Sequence, residues 1–479
     1  MSSFSISNFI KLLHQNWSNH KKIYICSIFF FFILNIIYSF NGLRDYLSVY
    51  YLLFTITSIF FFINSVFISN LFTQKFIGLF LFLGFWIKFN FNILYNNNVF
   101  PEYVTQLHQI GGGSISPHEH DLLKTFFICS SIFFLTITFA SKFLLNLNHI
   151  NKKINFFNLF LFVKFFNRRI FFLSFLSFFI LIYFNYKYQF YIRGIIPLIE
   201  NIFITGFYKC LFSYVVLILS ALFLDFYIKK EENFLQIFII LLFILFINQL
   251  FHLSRLSPVL ILPLFLALLH YIFSSDINFI NNKKILRIIF LSIFLSFICW
   301  YLVFKLRNAI FFENYNLFKT FIEDKKNFND QYHFSSVKNI YTSFFIERWI
   351  GADGLLTIIS NKTIVGYDYF FNNSSFSFAS GRLKSIFIIG PAAFFFKSGS
   401  YIIFFLSTFL AVFLISNIEN LFNNLFKNLY FFQYFFAFIL AYEFIHIGAG
   451  TIKSFIYYIS IIFFVFFLYF LNFFFKKIK

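Results

Sequence analysis

The sequence predicts an all-α polytopic integral membrane protein, with residues 1–479 forming a single transmembrane helical domain. Hydrophobic residues make up 60% of the chain and charged residues only 12%. Because soluble domains carry about 25% charged residues, this composition suits a surface in contact with lipid. The net charge of +20 is attributed to basic loops that stay in the cytoplasm, so no nucleic acid partner is expected.

Apolar runs close to the length of a bilayer span, about 20 residues, recur along the chain. A shorter apolar stretch, 385–398, contains Pro391, so we expect a re-entrant or interfacial segment there, or the start of the tenth helix. Twelve runs are predicted to be transmembrane helices: 23–40, 46–69, 76–95, 124–146, 170–186, 206–227, 234–252, 257–274, 285–306, 400–416, 428–447 and 453–475.

The distribution of Lys and Arg predicts the orientation of the chain. Basic residues cluster in the N-terminal segment, in the loops after the fourth and eighth helices, and in the C-terminal tail. All of these fall on one side if the chain crosses twelve times, and the positive-inside rule makes that side the cytoplasm. Both termini are therefore predicted to be cytoplasmic. The first apolar run lacks a small-residue cleavage site and is predicted to be a retained signal anchor.

Two long loops then lie on the outer side, 96–123 and 307–384, and the second connects helices nine and ten. Loops of this length are more often functional than not. The first loop contains His118-Glu119-His120-Asp121, which are metal-ligand residue types, but adjacent side chains seldom enclose a metal. The four cysteines are isolated within apolar runs and form no disulfide framework. No metal and no cofactor is expected.

Ionisable residues in or beside the predicted helices are functional candidates, because charge is costly to bury in lipid. Arginine binds phosphate oxygens bidentately, so a group of outer arginines suits a lipid phosphate or pyrophosphate, with a neighbouring His or Glu as general base. Alternatively, each Arg extends to lipid headgroups or pairs with loop acids. Lys88 and Asp225 are interpreted either as relay residues of a transporter or as snorkelling side chains. The outer candidates are Arg193, His252, Arg255, Arg348, Arg382, Glu443 and His446.

Several segments resemble a known family. Residues 347–356, Glu-Arg-Trp-Ile-Gly-Ala-Asp-Gly-Leu-Leu, resemble the outer-loop motif of bacterial O-antigen and exopolysaccharide repeat-unit polymerases of the Wzy type. Residues 388–400 are similar to a Pro-Gly…Tyr-Ser-Gly-Ser segment of that family, with Gly-Pro in place of Pro-Gly. Residues 441–448 resemble a Tyr-Arg-x-x-His-x-Gly stretch, with Glu443 in place of Arg. Further matching segments are 191–194, 253–255 and Ile418-Glu419.

The resemblance covers about 190–450 discontinuously and implies a lipid-linked-oligosaccharide-dependent glycosyltransferase. Such a polymerase joins oligosaccharide repeat units carried on undecaprenyl pyrophosphate at the periplasmic face of the inner membrane. Its partners would be this lipid-linked glycan, membrane lipids and, as a further candidate, a chain-length regulator protein. The implied base is His446, with Glu443 or Glu347 in reserve, and the implied pyrophosphate ligands are Arg193, Arg255, Arg348 and Arg382.

Other classes of membrane protein stay open. A lipid-linked oligosaccharide flippase or other transporter predicts internal repeats and broken helices at matching places, and no convincing repeat is found. An O-antigen ligase-like glycosyltransferase shares the outer site and differs in its acceptor. A non-catalytic membrane assembly component is opposed only mildly by the clustered outer arginines.

Overall fold

The structure is a computed structural model, and nearly all of the residues that it describes are helical. One short antiparallel hairpin is the exception among them. Apart from this hairpin, the described residues confirm the predicted all-α class. The described residues are 48–90, 120–148, 168–192, 201–230, 234–252, 254, 259–273, 282–312, 351–360, 377–380, 383–386, 390–426 and 429–447.

Three of the helices contain a π-helical segment, in which the hydrogen-bonding pattern is widened by one residue. The hairpin pairs β1 (Ser377–Ser380) with β2 (Leu383–Ile386). In chain order the helices are α1 (Ser48–Phe62, then π-helical Ile63–Ile68), α2 (Phe72–Phe82, then π-helical Leu83–Ile87, ending at Asn90), α3 (His120–Asn148), α4 (Arg168–Tyr188), α5 (Ile202–Cys210, π-helical Leu211–Val215, then Val216–Lys230), α6 (Phe234–Phe251), α7 (Ile261–Phe273), α8 (Asn282–Phe312), α9 (Ala352–Ser360), α10 (Gly390–Phe396), α11 (Tyr401–Leu425) and α12 (Tyr430–Ile445).

Five described helical stretches are long and apolar enough to cross a membrane: Val49–Ile68, Phe72–Asn90, His120–Phe143, Phe203–Ile228 and Tyr401–Asn423. Shorter apolar helices lie within α6, α7, α8 and α12. The protein is therefore a helical membrane protein. The predicted first and last helices, and most of both long loops, lie outside the described residues, so the count of twelve stays a prediction. The helix α3 begins at His120, inside the predicted loop 96–123.

Aromatic contacts fix the direction of α2 relative to α12. Phe72 packs on Tyr434 with ring centroids 4.1 Å apart, and Phe76 packs on Phe438 at 5.5 Å. Moving four residues toward the C-terminus of α2 thus moves the contact four residues toward the C-terminus of α12. It follows that α2 and α12 run parallel, and that their C-terminal ends lie at the same end of the bundle.

Polar contacts show that α5 runs antiparallel to α12. Tyr214, early in α5, contacts Glu443 late in α12, whereas Asp225, late in α5, contacts Phe431 early in α12. The short helices α9 and α10 pack at the end where α2 and α12 finish, with α9 against the π-helical segment of α2 and α10 against α12. We call this the covered end of the bundle, and the other end the opposite end.

At the opposite end, a carboxylate from α5 caps α12. The first turn of any helix leaves backbone N–H groups without partners inside the helix, and lipid offers none. The N-cap residue Leu429 provides no side-chain oxygen. Asp225, fully buried, accepts instead from Phe431 N at 3.0 Å and Phe432 N at 2.8 Å, and from the Tyr271 hydroxyl. The negative charge also lies favourably at the positive end of the helix dipole.

A second carboxylate caps α2 in the same manner. Glu419, fully buried in α11, accepts from Phe72 N at 2.6 Å and from Thr73 N at 3.0 Å, while the N-cap Leu71 again provides no side-chain oxygen. Asn423, one turn later in α11, donates to the same carboxylate at 3.3 Å. The two caps thus join distant parts of the chain at one level of the bundle.

Replacing either capping carboxylate by its amide should destabilise the fold. Asp225→Asn and Glu419→Gln each turn one acceptor oxygen into an NH₂ group that faces backbone donors, at a cost of about 1–3 kcal/mol. Thermal unfolding in detergent would measure the loss, with Asn417→Ala as the control, because Asn417 is exposed and donates only to Phe413 O within its own helix. Unchanged midpoints for both amide variants would contradict the capping role.

Candidate functional site

Two of the predicted site residues, Glu443 and His446, belong to the described structure. The predicted residues that lie outside the described residues are Arg193, Arg255, Glu347, Arg348 and Arg382. In the sequence, Arg382 falls between β1 and β2, and Arg348 falls three residues before Gly351, which is described. The described part of the site therefore consists of the elements that flank these arginines, of Glu443 and His446, and of the further outer candidate His252.

Glu443 is a buried carboxylate held by a neighbouring helix. The Tyr214 hydroxyl donates to Glu443 Oε1 at 2.5 Å, and only 9% of Glu443 is exposed. Tyr214 lies in the π-helical segment of α5, and such segments occur frequently at functional sites. A carboxylate repels a pyrophosphate, so Glu443 suits proton transfer or positioning rather than anion binding. Sequence reasoning did not single out Tyr214, because its partner is 229 residues away.

His446 is the C-cap residue of α12, one turn after Tyr442. Its Nδ1 lies 2.7 Å from the Tyr442 carbonyl oxygen, and the two rings are in contact, with centroids 3.8 Å apart and planes tilted by 33°. A neutral histidine that donates from Nδ1 to a carbonyl carries its lone pair on Nε2. This arrangement gives His446 the tautomer that a base acting through Nε2 requires.

The π-helical segment of α5 is also bound to α6. Asn248 Nδ2 donates to the Phe212 carbonyl oxygen at 2.7 Å, and His252 Nδ1 contacts the Asn248 carbonyl oxygen. The His252 ring, 1% exposed, lies between the rings of Phe212 and Tyr191, with centroids 6.1 and 6.0 Å away. One widened turn of α5 therefore anchors two of the predicted outer residues, Glu443 through Tyr214 and His252 through Asn248.

The second half of the 347–356 motif docks α9 onto α2. A Cβ at Gly351 would lie 2.6 Å from the Phe85 ring and 2.7 Å from the Gly84 carbonyl oxygen, so only glycine fits there. Two residues later, Asp353 forms an ion pair with Lys88, whose side chain is 4% exposed. Burial raises the pKa of the Asp353 carboxyl above its ordinary value, and the Lys88 ammonium opposes this shift. Lys88 thus pairs within the protein rather than extending to headgroups.

Within the 388–400 segment, residues Gly390–Phe396 form a short helix of their own, α10, that is buried along its whole length. Gly390 has a φ of 80° and Gly399 a φ of 71°, a region that favours glycine, so the chain turns sharply on both sides of α10. Ser400 then caps α11. The segment is therefore neither a span nor the start of the tenth helix. Lys397 directly follows α10 and is 1% exposed, and burial lowers its pKa to about 7.

The His118–Asp121 run of the first predicted loop belongs only in part to the described structure. His120 and Asp121 belong to the first turn of α3, while His118 and Glu119 lie outside the described residues. Among the described residues, no group of three or more His, Cys, Asp or Glu side chains could hold a metal ion.

The buried Lys397 predicts a pH dependence of stability. Below pH 7 the lysine is protonated in both folded and unfolded states, so the cost of burying its charge is fully present. Between about pH 7 and 10 the folded protein holds it neutral while the unfolded chain is still protonated, so the stability gained by Lys397→Met should shrink as pH rises. Unfolding midpoints from pH 6 to 10, with the exposed Lys187→Met as control, would measure this. A gain that is constant with pH would contradict it.

Comparison with known proteins adds no assignment. No protein family model matches the chain, and neither a curated protein nor a solved structure matches it. The function has to be inferred from the residues of this chain and from the arrangement in which they are placed.

Proposed function

We propose that this protein is a polymerase that joins undecaprenyl-pyrophosphate-linked oligosaccharide repeat units into a surface polysaccharide. The observation that carries the proposal is the docking of residues 351–356, the described part of the 347–356 motif, at the covered end. There, Gly351 and Asp353 each have a specific contact with α2, so the motif residues have defined structural roles. The buried Tyr214–Glu443 contact lies toward the same end of the bundle.

The covered end is proposed to face the periplasm. The first turns of α4 and α8 carry basic residues, among them Arg168, Lys283 and Lys284, and the positive-inside rule places these helix starts at the cytoplasmic side. The helices α4 and α8 then lead from the cytoplasm to the covered end. Both termini are proposed to be cytoplasmic in a bacterial inner membrane, and lipid-linked repeat units would reach the site from the outer leaflet.

The proposed reaction is a glycosyl transfer between two lipid-linked glycans. A hydroxyl oxygen of one repeat unit forms a bond to the anomeric carbon of the growing chain, and the bond from that carbon to the pyrophosphate oxygen breaks. The hydroxyl proton passes to a base, proposed to be His446 through Nε2, with Glu443 or Glu347 in reserve. The undecaprenyl pyrophosphate leaves with the bonding electrons, and its charge is stabilised by the outer arginines: Arg193, Arg255, Arg348 and Arg382.

Deleting the gene in its own host and analysing the surface polysaccharide on a gel tests this function. We expect the ladder of chain lengths to collapse to a single repeat unit, and wild-type protein to restore it. Arg348→Ala and Glu443→Gln should fail to restore the ladder at equal expression. Arg287→Ala is the matched control, because Arg287 is an exposed arginine near the start of α8, and it should restore the ladder fully.

Other outcomes would assign the protein to a different class. Full-length chains that remain on undecaprenyl pyrophosphate would indicate a ligase. Single lipid-linked repeat units held in the cytoplasmic leaflet would indicate a flippase. A ladder that is unchanged by deletion, or that Arg348→Ala and Glu443→Gln both restore fully, would contradict the proposed site.

A further inference from the structure

We propose that Lys88 and Asp353 are positioning residues: their buried ion pair clasps α9 to α2 and thereby sets where the chain carrying Glu347 and Arg348 meets the bundle. This inference rests on the proposed function, in which Glu347 and Arg348 belong to the site. Neither Lys88 nor Asp353 is proposed to touch the substrate. Their role is to fix one register of α9 among several that its apolar face would allow.

The apolar face of α9 holds this helix against the bundle but does not fix its rotation or its position along its axis. Ala352, Leu355 and Leu356 are at most 2% exposed, and they recur at the spacing that lines one face of a helix. Apolar burial is roughly proportional to area and is not directional. A helix of nine residues held only by such contacts can rotate, or slide by a fraction of its 5.4 Å pitch, at little cost.

The ion pair and the glycine remove that freedom. The two charges attract strongly only when α9 lies close to α2. The Lys88 side chain is 4% exposed and that of Asp353 14%, so moving α9 would separate the two charges where water reaches them poorly. Gly351 sets the distance of approach, because its Cα lies against the Gly84 backbone in the π-helical segment of α2. Two independent contacts, three and five residues after Arg348, thus define the point at which this segment enters the bundle.

The pair also offers a way to separate positioning from folding. Removing one partner breaks the ion pair of a largely buried charge, which destabilises strongly, so the single variants Lys88→Met and Asp353→Leu cannot distinguish the two roles. Replacing both partners by apolar residues is often neutral for stability. The double variant Lys88→Met/Asp353→Leu should therefore fold and bind lipid-linked donor, yet lack the constraint on register.

The test combines thiol accessibility with the rate of chain elongation. In a chain whose four native cysteines are replaced, Ala352→Cys reports on the docked face of α9, since Ala352 is 2% exposed. We expect the Lys88→Met/Asp353→Leu variant to raise the rate of maleimide labelling about tenfold by local opening. The charge-reversed Lys88→Asp/Asp353→Lys should lower it again. Gly351→Ala should also increase labelling, whereas Gly206→Ala, with nothing within 4 Å of its added Cβ, should not.

Elongation measured in membranes then shows whether the clasp acts on the site. The double apolar variant should elongate at least about tenfold more slowly than the wild type, and the charge-reversed variant should recover part of that rate. Unchanged labelling would overturn the clasp itself. Increased labelling with unchanged elongation would overturn positioning while leaving polymerisation intact. A wild-type chain that never elongates would refute the proposed function. The maleimide labelling rates would still test whether the Lys88–Asp353 pair holds α9 against α2.

Discussion

Buried charges that are satisfied only by other parts of the chain hold this bundle in one arrangement. Lipid cannot accept or donate hydrogen bonds, so Asp225, Glu419 and the Lys88–Asp353 pair each require a defined protein partner. Phenylalanine is the commonest residue of the surrounding core, and apolar burial is not directional. Directional polar contacts therefore decide which helices meet and at what level, a role for buried polar groups that is attested in other helical proteins.

The two ends of the bundle use these contacts differently. At the opposite end, two buried carboxylates, Glu419 and Asp225, cap the first turns of α2 and α12. At the covered end, polar contacts join elements that are not helix neighbours in sequence: Tyr214 with Glu443 and Lys88 with Asp353. Glu419, which fits the family pattern, belongs to the capping end, so the resemblance includes positions that stabilise the fold as well as candidates for chemistry.

Length and hydropathy predicted the long described helices, because the cost of exposing backbone to lipid leaves few alternatives. They did not locate α9 within the predicted loop 307–384, nor did they predict α10 as a helix of its own. For the stretch 385–398 the sequence allowed either a re-entrant or interfacial segment or the start of the tenth helix. It did not decide between them, because the break before α11 depends on the positive φ of Gly399. The partners of Lys88 and Asp225 could not be predicted, because they are 265 and 206 residues away and follow from the fold as a whole. The π-helical segment around Tyr214 has no sequence pattern that marks it.

Reconstitution tests the central claim most directly. The purified chain, in lipid bilayers that contain undecaprenyl-pyrophosphate-linked repeat units, would be assayed for glycan length and for released undecaprenyl pyrophosphate. A catalytic site at the covered end predicts longer glycans and one released pyrophosphate lipid for each linkage formed. Repeat units that cross the bilayer intact, with neither lengthening nor release, would contradict it.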